Sequence, residues 1–384
     1  EVARSYRFKK GSGMPISIPA IDMVEIGAGG GSIAKIDQLG QIRVGPESSG
    51  SDPGPICYNL SGTKPTVTDA NLILGKLDPE NFADGRIKLN LQKVQREFKD
   101  YFSNFNLKIT ESAFLIAETV DENMSNAARV HAIENGEDLT DYTMIAFGGA
   151  APLHAYRICQ KLGIRRCIIP DGAGVGSALG FLYAPYSFEN SQSQNIKLNN
   201  FSYKKASQIF EKLKKSAKNF VLSCDNEANI DFIFTVYMRY IGQGWEIPVK
   251  LQKINKLYLN SNKLRKLFEF EYEKLYGRKV LNHEIEITSW SVNAISQSKR
   301  SKLKIQKDCS TTKVKNLKSV RFFDQNLYKW TNSKKIKRTN ITKRINGPVL
   351  INERDTTIVL PTLSSVVLSN ENYIDIKFKN KSDE

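Results

Sequence analysis

Glycine placement constrains this chain more than any other feature. Three clusters fall in the first half: Gly27, Gly29, Gly30 and Gly31; then Gly148 and Gly149; then Gly172, Gly174, Gly176 and Gly180. Each follows a short apolar run: Met23 to Ile26, Tyr142 to Phe147 and Arg166 to Pro170. Apolar runs of this length, closed by glycine, read as strands ending in turns. Residues without a Cβ at such ends serve either tight turns or the close approach of a ligand to the backbone.

After the first cluster, Ile33-Ala34-Lys35-Ile36 and Ile42-Arg43-Val44 flank the turn Gln38-Leu39-Gly40-Gln41. Alternation with period two predicts a β-hairpin and excludes a dinucleotide-binding loop, whose glycines open a helix. Bare backbone N–H groups of a glycine-rich hairpin can still cradle phosphate. Gly27, Gly29, Gly30 and Gly31 are therefore candidate phosphate contacts, with the Ser32 hydroxyl as an added donor. A bulge or tight turn is the plainer use of such glycines.

The second cluster leads through Pro152 into an apolar-striped segment, Leu153 to Leu162, which Gly163 stops. This predicts a strand–turn–helix–strand unit with proline in the first helical turn. Gly148, Gly149 and Ala150 would let a nucleotide approach the backbone. His154, in that first turn, is either a catalytic candidate or a packed histidine. The third cluster precedes a helix at Ala178 to Tyr183 and serves close packing or anion binding. The stretch from Gly45 to Tyr58 is rich in turn formers and predicts a long functional loop. Beyond it, Thr68 or Asp69 caps a short helix. Asp52 and Asp69 are the carboxylates available for a metal ion or a general base. Cys57 has no base spaced near it. A longer helix from Thr110 to about Ile133 carries an apolar stripe through Ala113, Ile116, Val120, Met124, Ala127 and Val130, with His131 beside it as a structural residue.

Charge divides the chain as glycine does. The formal net charge of +16 arises entirely beyond Tyr186, where 37 Lys+Arg face 19 Asp+Glu; up to that residue the counts are 19 and 21. Lysine outnumbers arginine 39 to 17, and no nucleic-acid motif accompanies the basic stretches at Lys299 to Lys318 and Lys334 to Arg344. They read as solvated faces rather than a nucleic-acid surface. No apolar run reaches the length of a membrane span. Five scattered cysteines and three histidines, His131, His154 and His283, form no zinc spacing, so a reducing cytoplasm is expected. The polar segment Glu189 to Asn195 reads as a linker, which places a boundary near residue 187. Helices are expected at Tyr203 to Val221 and Lys263 to Tyr276, followed mostly by strands. Residue 1 is not Met and no signal-peptide core follows it, so the sequence is expected to continue a longer protein.

Five ordered segments carry a resemblance: Ile26-Gly27-Ala28-Gly29-Gly30-Gly31-Ser32-Ile33-Ala34; Val44-Gly45-Pro46-Glu47-Ser48; Asp52-Pro53-Gly54-Pro55; Pro65-Thr66-Val67-Thr68-Asp69-Ala70-Asn71; and Phe147-Gly148-Gly149-Ala150. Together they resemble the hydantoinase A/oxoprolinase family, which includes ATP-dependent 5-oxoprolinases, N-methylhydantoinase A subunits and subunits of acetone and acetophenone carboxylases. The resemblance continues through Met238 to Glu246 and Gly347 to Thr357. Two departures are Ala151, where the family usually has Gly, and Ser49-Gly50-Ser51, where it tends to Ala-Gly-Ala.

The resemblance implies an α/β fold: the second lobe of an actin/sugar-kinase-like ATPase domain over residues 1–186, then a β-rich α+β C-terminal domain over 187–384. The first glycine cluster is similar to that superfamily's second phosphate hairpin, and Gly148-Gly149 to its adenosine turn. The first phosphate loop has no counterpart before Gly27, so the N-terminal ATPase lobe is expected as a missing partner. Implied cofactors are ATP and Mg²⁺, with Asp52 or Asp69 orienting metal or water. The implied activity is hydrolysis of a lactam or other cyclic amide through carbonyl phosphorylation, with a hydantoinase B-type subunit or domain as partner. Ketone carboxylation and a non-catalytic partner-binding fragment are the alternatives.

Overall fold

The structure, a computed structural model, describes residues 23–251, 259–297 and 319–378. The basic stretch at 299–318 and the N-terminal residues 1–7 lie outside them. Two compact units emerge: the described residues of Glu1–Leu179 together with those of Gln306–Glu384, and those of Gly180–Ile305.

The first unit begins with Met23 to Ile26, which is exposed and forms no strand among the described residues, contrary to its apolar pattern. The expected hairpin follows as β1 (Ser32–Ile36) and β2 (Ile42–Ser48), antiparallel, with Ala34 opposite Val44. Asp37 closes its turn by accepting from the Leu39 and Gln41 amides. The strand β2 extends through Gly45 and Pro46, where composition alone suggested only loop. Helix α1 (Val67–Ile73) is capped by Thr66, two residues before Thr68 and three before Asp69, the caps expected from the sequence. Thr66 and Asp69 form a reciprocal capping box, so Asp69 acts at the third helical position.

Helix α2 (Leu91–Phe102) buries Val94, Phe98 and Phe102 at spacings of four, the face of an amphipathic helix. Helix α3 (Ile109–Glu134) is buried along Ala113, Ile116 and Val120, and Met124 packs partly buried against the same core, but the stripe does not reach Val130. Val130 is exposed, while the polar Asp121 and Ser125 are buried. Strand β3 is only Met144–Ile145, with Tyr142, Ile145 and Phe147 exposed, because it forms a sheet edge rather than a buried centre. Helix α4 (Ala151–Leu162), with proline in its first turn, and β4 (Arg166–Ile169) follow as expected. The chain leaves this unit within α5 (Gly176–Tyr183).

In the second unit, β5 (Ser187–Lys197) replaces the expected linker. Its polar composition reflects its place at the edge of an antiparallel sheet ordered β5-β8-β6-β7, formed with β6 (Ile230–Tyr240), β7 (Ile247–Leu251) and β8 (Ile285–Ser296). An edge strand with one solvated face selects polar residues. Helices α6 (Tyr203–Cys224) and α7 (Ser261–Tyr276) lie where the pattern placed them. The core between sheet and helices holds Phe210, Phe234, Trp290, Tyr240 and Phe268, with Phe210 edge-on to both Phe234 and Trp290.

The C-terminal strands return to the first unit. A four-stranded sheet, β13-β12-β10-β9, comprises β9 (Ser319–Asp324), β10 (Lys329–Ile336), β12 (Val349–Asn352) and β13 (Thr357–Leu360). A second sheet, β11-β14-β15-β4-β3, adds β11 (Ile345–Asn346), β14 (Ser364–Leu368) and β15 (Ile374–Phe378) to the N-terminal strands. Strand β15 pairs antiparallel with β4, and the forked pair of Arg166 with Asp375 spans that ladder at 2.8–2.9 Å. Sequence composition placed one boundary near 187; the compact unit closes at Leu179 and regains the chain after the second unit.

At the centre of the first unit lies a buried polar knot. Gln325, after β9, accepts from Lys76 Nζ and from the Tyr156 hydroxyl (3.0 Å), and donates to Asp121 and Glu118 (3.1 Å each). Glu118 accepts in turn from Arg157 and Lys161, so α3 and α4 are tied by charge as well as packing. Burial holds the Lys76 ammonium down to about 8 from an ordinary 10.5, although Asp121, Glu118 and Asp324 pull it upward.

Two outcomes follow. Ile376→Ala removes a side chain of the first unit's core, so it should destabilise that unit by about 2–5 kcal/mol. Hydrogen exchange should rise in β4 and leave β6 and β8 unchanged. Lys76 has a folded pKa below its unfolded one, so between about pH 8 and 10.5 the unfolded chain binds more protons and stability rises with pH. Urea titrations should show wild type gaining on Lys76→Met across that window, by at most about 1.4 kcal/mol per pH unit. A flat difference would contradict the buried ammonium.

Candidate functional site

The first glycine cluster is held from behind by two other segments. The Gly30 carbonyl accepts from both the amide (2.8 Å) and the hydroxyl (2.9 Å) of Thr68, at the start of α1. The Gly31 carbonyl accepts from the Ser49 amide at 2.9 Å, and the Gly29 carbonyl from the Ser32 amide at 3.1 Å. In a planar trans peptide the next N–H points opposite to the carbonyl. The amides of Gly30 and Gly31 thus point away from the Ser32 and Thr68 amides, and neither meets a hydrogen-bond partner among the described residues. Ser32 is buried, and its hydroxyl accepts from the Gly29 amide, which makes it a brace of the turn.

The glycines are not equivalent. A Cβ at Gly27 would meet Pro46 at 2.5 Å, and one at Gly30 would meet the Thr68 hydroxyl at 2.7 Å; packing alone demands glycine there. A Cβ at Gly29 would meet nothing within 4 Å, and its backbone is not left-handed. Among the described residues, packing does not require glycine at 29.

The two carboxylate candidates are placed differently. Asp69 is completely buried, and its oxygens accept from the Ile56 amide (3.2 Å), the Cys57 amide (2.8 Å), and both the amide (3.0 Å) and hydroxyl (2.7 Å) of Thr66. Burial raises its pKa while these donors oppose the rise. With four donors on two oxygens, it pins the loop to α1. Asp52 is exposed, in a turn where the Gly54 amide reaches the Ser49 carbonyl, and Ser49 is bonded to Gly31. The structure therefore brings Asp52's loop, the Thr66–Asp69 turn and the glycine hairpin together. No group of three or more His, Cys, Asp or Glu suited to a metal occurs among the described residues. Of the two candidate carboxylates, Asp52 is the accessible one. Burial pushes the Cys57 thiol far above its usual range, which removes it as a nucleophile.

Gly148 and Gly149 enter α4 at Ala150, whose position at the helix start has no side-chain cap. The Gly148 amide donates to the Ala173 carbonyl at 2.7 Å, and Thr356 donates to the Gly149 carbonyl at 2.8 Å. Asp355 lies against Gly149 and Gly174, and Arg86 pairs with it at 3.4 Å. Composition singled out none of Arg86, Asp355 and Thr356; the terminal motif from Gly347 to Thr357 was the available signal. His154 is buried between Asp121 and Asn71, out of reach of solvent.

Among the described residues, no helix is long and apolar enough to cross a membrane. The caprolactamase subunit alpha of Pseudomonas jessenii is 27% identical over 358 residues, covering 90% of this chain and 51% of that one. Its crystal structure superposes with a TM-score of 0.76 over 96% of this chain and 54% of that one, at 26% identity. The 5-oxoprolinase of Saccharomyces cerevisiae is 28% identical, over 96% of this chain and 30% of its own length. A nucleotide-free acetone carboxylase shares the fold, with a TM-score of 0.78 over 99% of this chain and 56% of that one at 20% identity. The chain thus spans about half the length of the caprolactamase subunit, or less of the other sequence relative. Residues 1–190 match the hydantoinase/oxoprolinase model, and residues 194–378 match the model of the hydantoinase/oxoprolinase C-terminal domain. The chain belongs to the hydantoinase/oxoprolinase family.

Proposed function

We propose that this chain supplies the second phosphate hairpin and the adenosine turn of an ATP-dependent enzyme that hydrolyses a cyclic amide. The observation that carries the reading is the pair of amides at Gly30 and Gly31, without a hydrogen-bond partner among the described residues, beside Gly29, where a Cβ would meet nothing within 4 Å. Two adjacent N–H donors on an unobstructed backbone suit phosphate oxygens. ATP, when bound, supplies a phosphoryl group that converts an unreactive amide oxygen into a leaving group.

In this reading, the Gly30 and Gly31 amides hold phosphate oxygens, and Ser32 keeps the turn rigid rather than touching the ligand. Gly148, Gly149 and Ala150 border the adenosine, with Thr356 fixing the Gly149 carbonyl. Asp52 is the carboxylate that orients Mg²⁺ or water, and Asp69 shapes the loop that carries it. The named activities of the caprolactamase and the 5-oxoprolinase support a lactam as substrate. The actin/sugar-kinase-like lobe, the facing N-terminal lobe and a hydantoinase B-type partner belong to the same proposal. That the caprolactamase relative is named a subunit supports an assembly.

Gly29→Ala should leave the melting temperature unchanged, since its Cβ meets nothing, yet weaken calorimetric binding of tripolyphosphate about tenfold. Equal binding by the variant would remove the hairpin from the site. With the rest of the enzyme supplied, ADP release should depend on 5-oxoproline, caprolactam or a hydantoin. Dependence on a ketone with bicarbonate would assign the carboxylase activity instead, and ADP release with no added substrate would overturn both.

A further inference from the structure

The two glycine turns are joined through helices α1 and α4 and a buried polar contact between them. Thr68, which holds the Gly30 carbonyl by two bonds, lies one helical turn before Asn71 on α1. Asn71 Nδ2 is 3.4 Å from His154 Nε2, and His154 Nδ1 is 2.7 Å from Asp121 Oδ1. His154 in turn lies one helical turn after Ala150, where the Gly148-Gly149 turn enters α4. Asn71, His154 and Asp121 are all buried.

The chemistry of the line is specific. Asp121 Oδ2 accepts from Gln325 and Asp121 Oδ1 faces His154 Nδ1, the arrangement in which an ionised carboxylate receives a ring N–H. Nε2 is then left as an acceptor for the Asn71 amide. Asn71 Oδ1 is buried without a hydrogen-bond partner among the described residues. An apolar contact between α1 and α4 would fill the same space. What the polar contact adds is direction, since a hydrogen bond holds only over a narrow range of angles.

We propose that His154 is a positioning residue that couples the phosphate hairpin to the Gly148-Gly149 turn through Asn71, so that a ligand at one turn presets the other. This rests on the ATP reading above. His154 does not touch the reacting atoms; it acts through Asn71 and Thr68.

The test uses the whole chain and separate halves of the nucleotide. Calorimetry on wild type should show adenosine binding about tenfold tighter when tripolyphosphate is present, the scale of an ordinary coupling between sites. Asn71→Leu and His154→Phe should each keep the separate affinities within about twofold and lose the enhancement, and His154→Gln, which can bridge both neighbours, should restore part of it. Retention of the full enhancement in Asn71→Leu would overturn the coupling. A fold-independent measurement needs only wild type: adenosine alone should slow hydrogen exchange at residues 27–32, and no change there while adenosine is bound would also overturn it. Wild type that binds neither adenosine nor tripolyphosphate would instead sink the ATP reading.

Discussion

The first unit depends on the hydrogen-bonded knot around Gln325 and Asp121. Gln325 comes from the turn after β9, Lys76 from the segment after α1, Asp121 and Glu118 from α3, and Tyr156 from α4. Groups of both charges buried together hold only if each is matched, and the matching fixes where four segments stand. A one-turn slip of α3 would strand Asp121 in an apolar core. The same carboxylate aligns His154, so the scaffold and the candidate site share one anchor.

The glycine hairpin shows how a single residue type serves two purposes. Gly27 and Gly30 are required by neighbours of their own chain, Pro46 and Thr68, whereas Gly29 faces open space. Sequence treats these as one cluster. The distinction matters because a glycine demanded by packing says nothing of ligands, and a glycine that packing does not demand does. Ser32 follows the same logic in reverse: a hydroxyl that could donate to phosphate is spent bracing the Gly29 amide.

Much of the local structure was legible because it is local. The hairpin at β1 and β2, the helices α3, α4, α6 and α7, and the glycine that stops α4 all follow from periodicity and capping within a few residues. Errors came where tertiary context sets the composition. Glu189 to Asn195 is polar because β5 is an edge strand, not because it is a linker. Tyr142 to Phe147 is apolar yet forms only a two-residue edge strand, and Met23 to Ile26 pairs with no strand among the described residues. Asp69 had the spacing of a cap and the chemistry of a catalyst; only its four donors distinguish them.

By itself, the sequence determined the family and the order of the glycine turns, because those properties reside in residue type and near spacing. The tertiary structure alone decided that the strands from Ser319 to Phe378 complete the first unit and that Arg166 meets Asp375. It also decided that Asn71, His154 and Asp121 form a line, from positions up to 83 residues apart in the chain. Contacts of that range leave no periodic trace in sequence. They arise from the burial of helices and strands against one another, and burial is a property of the whole unit.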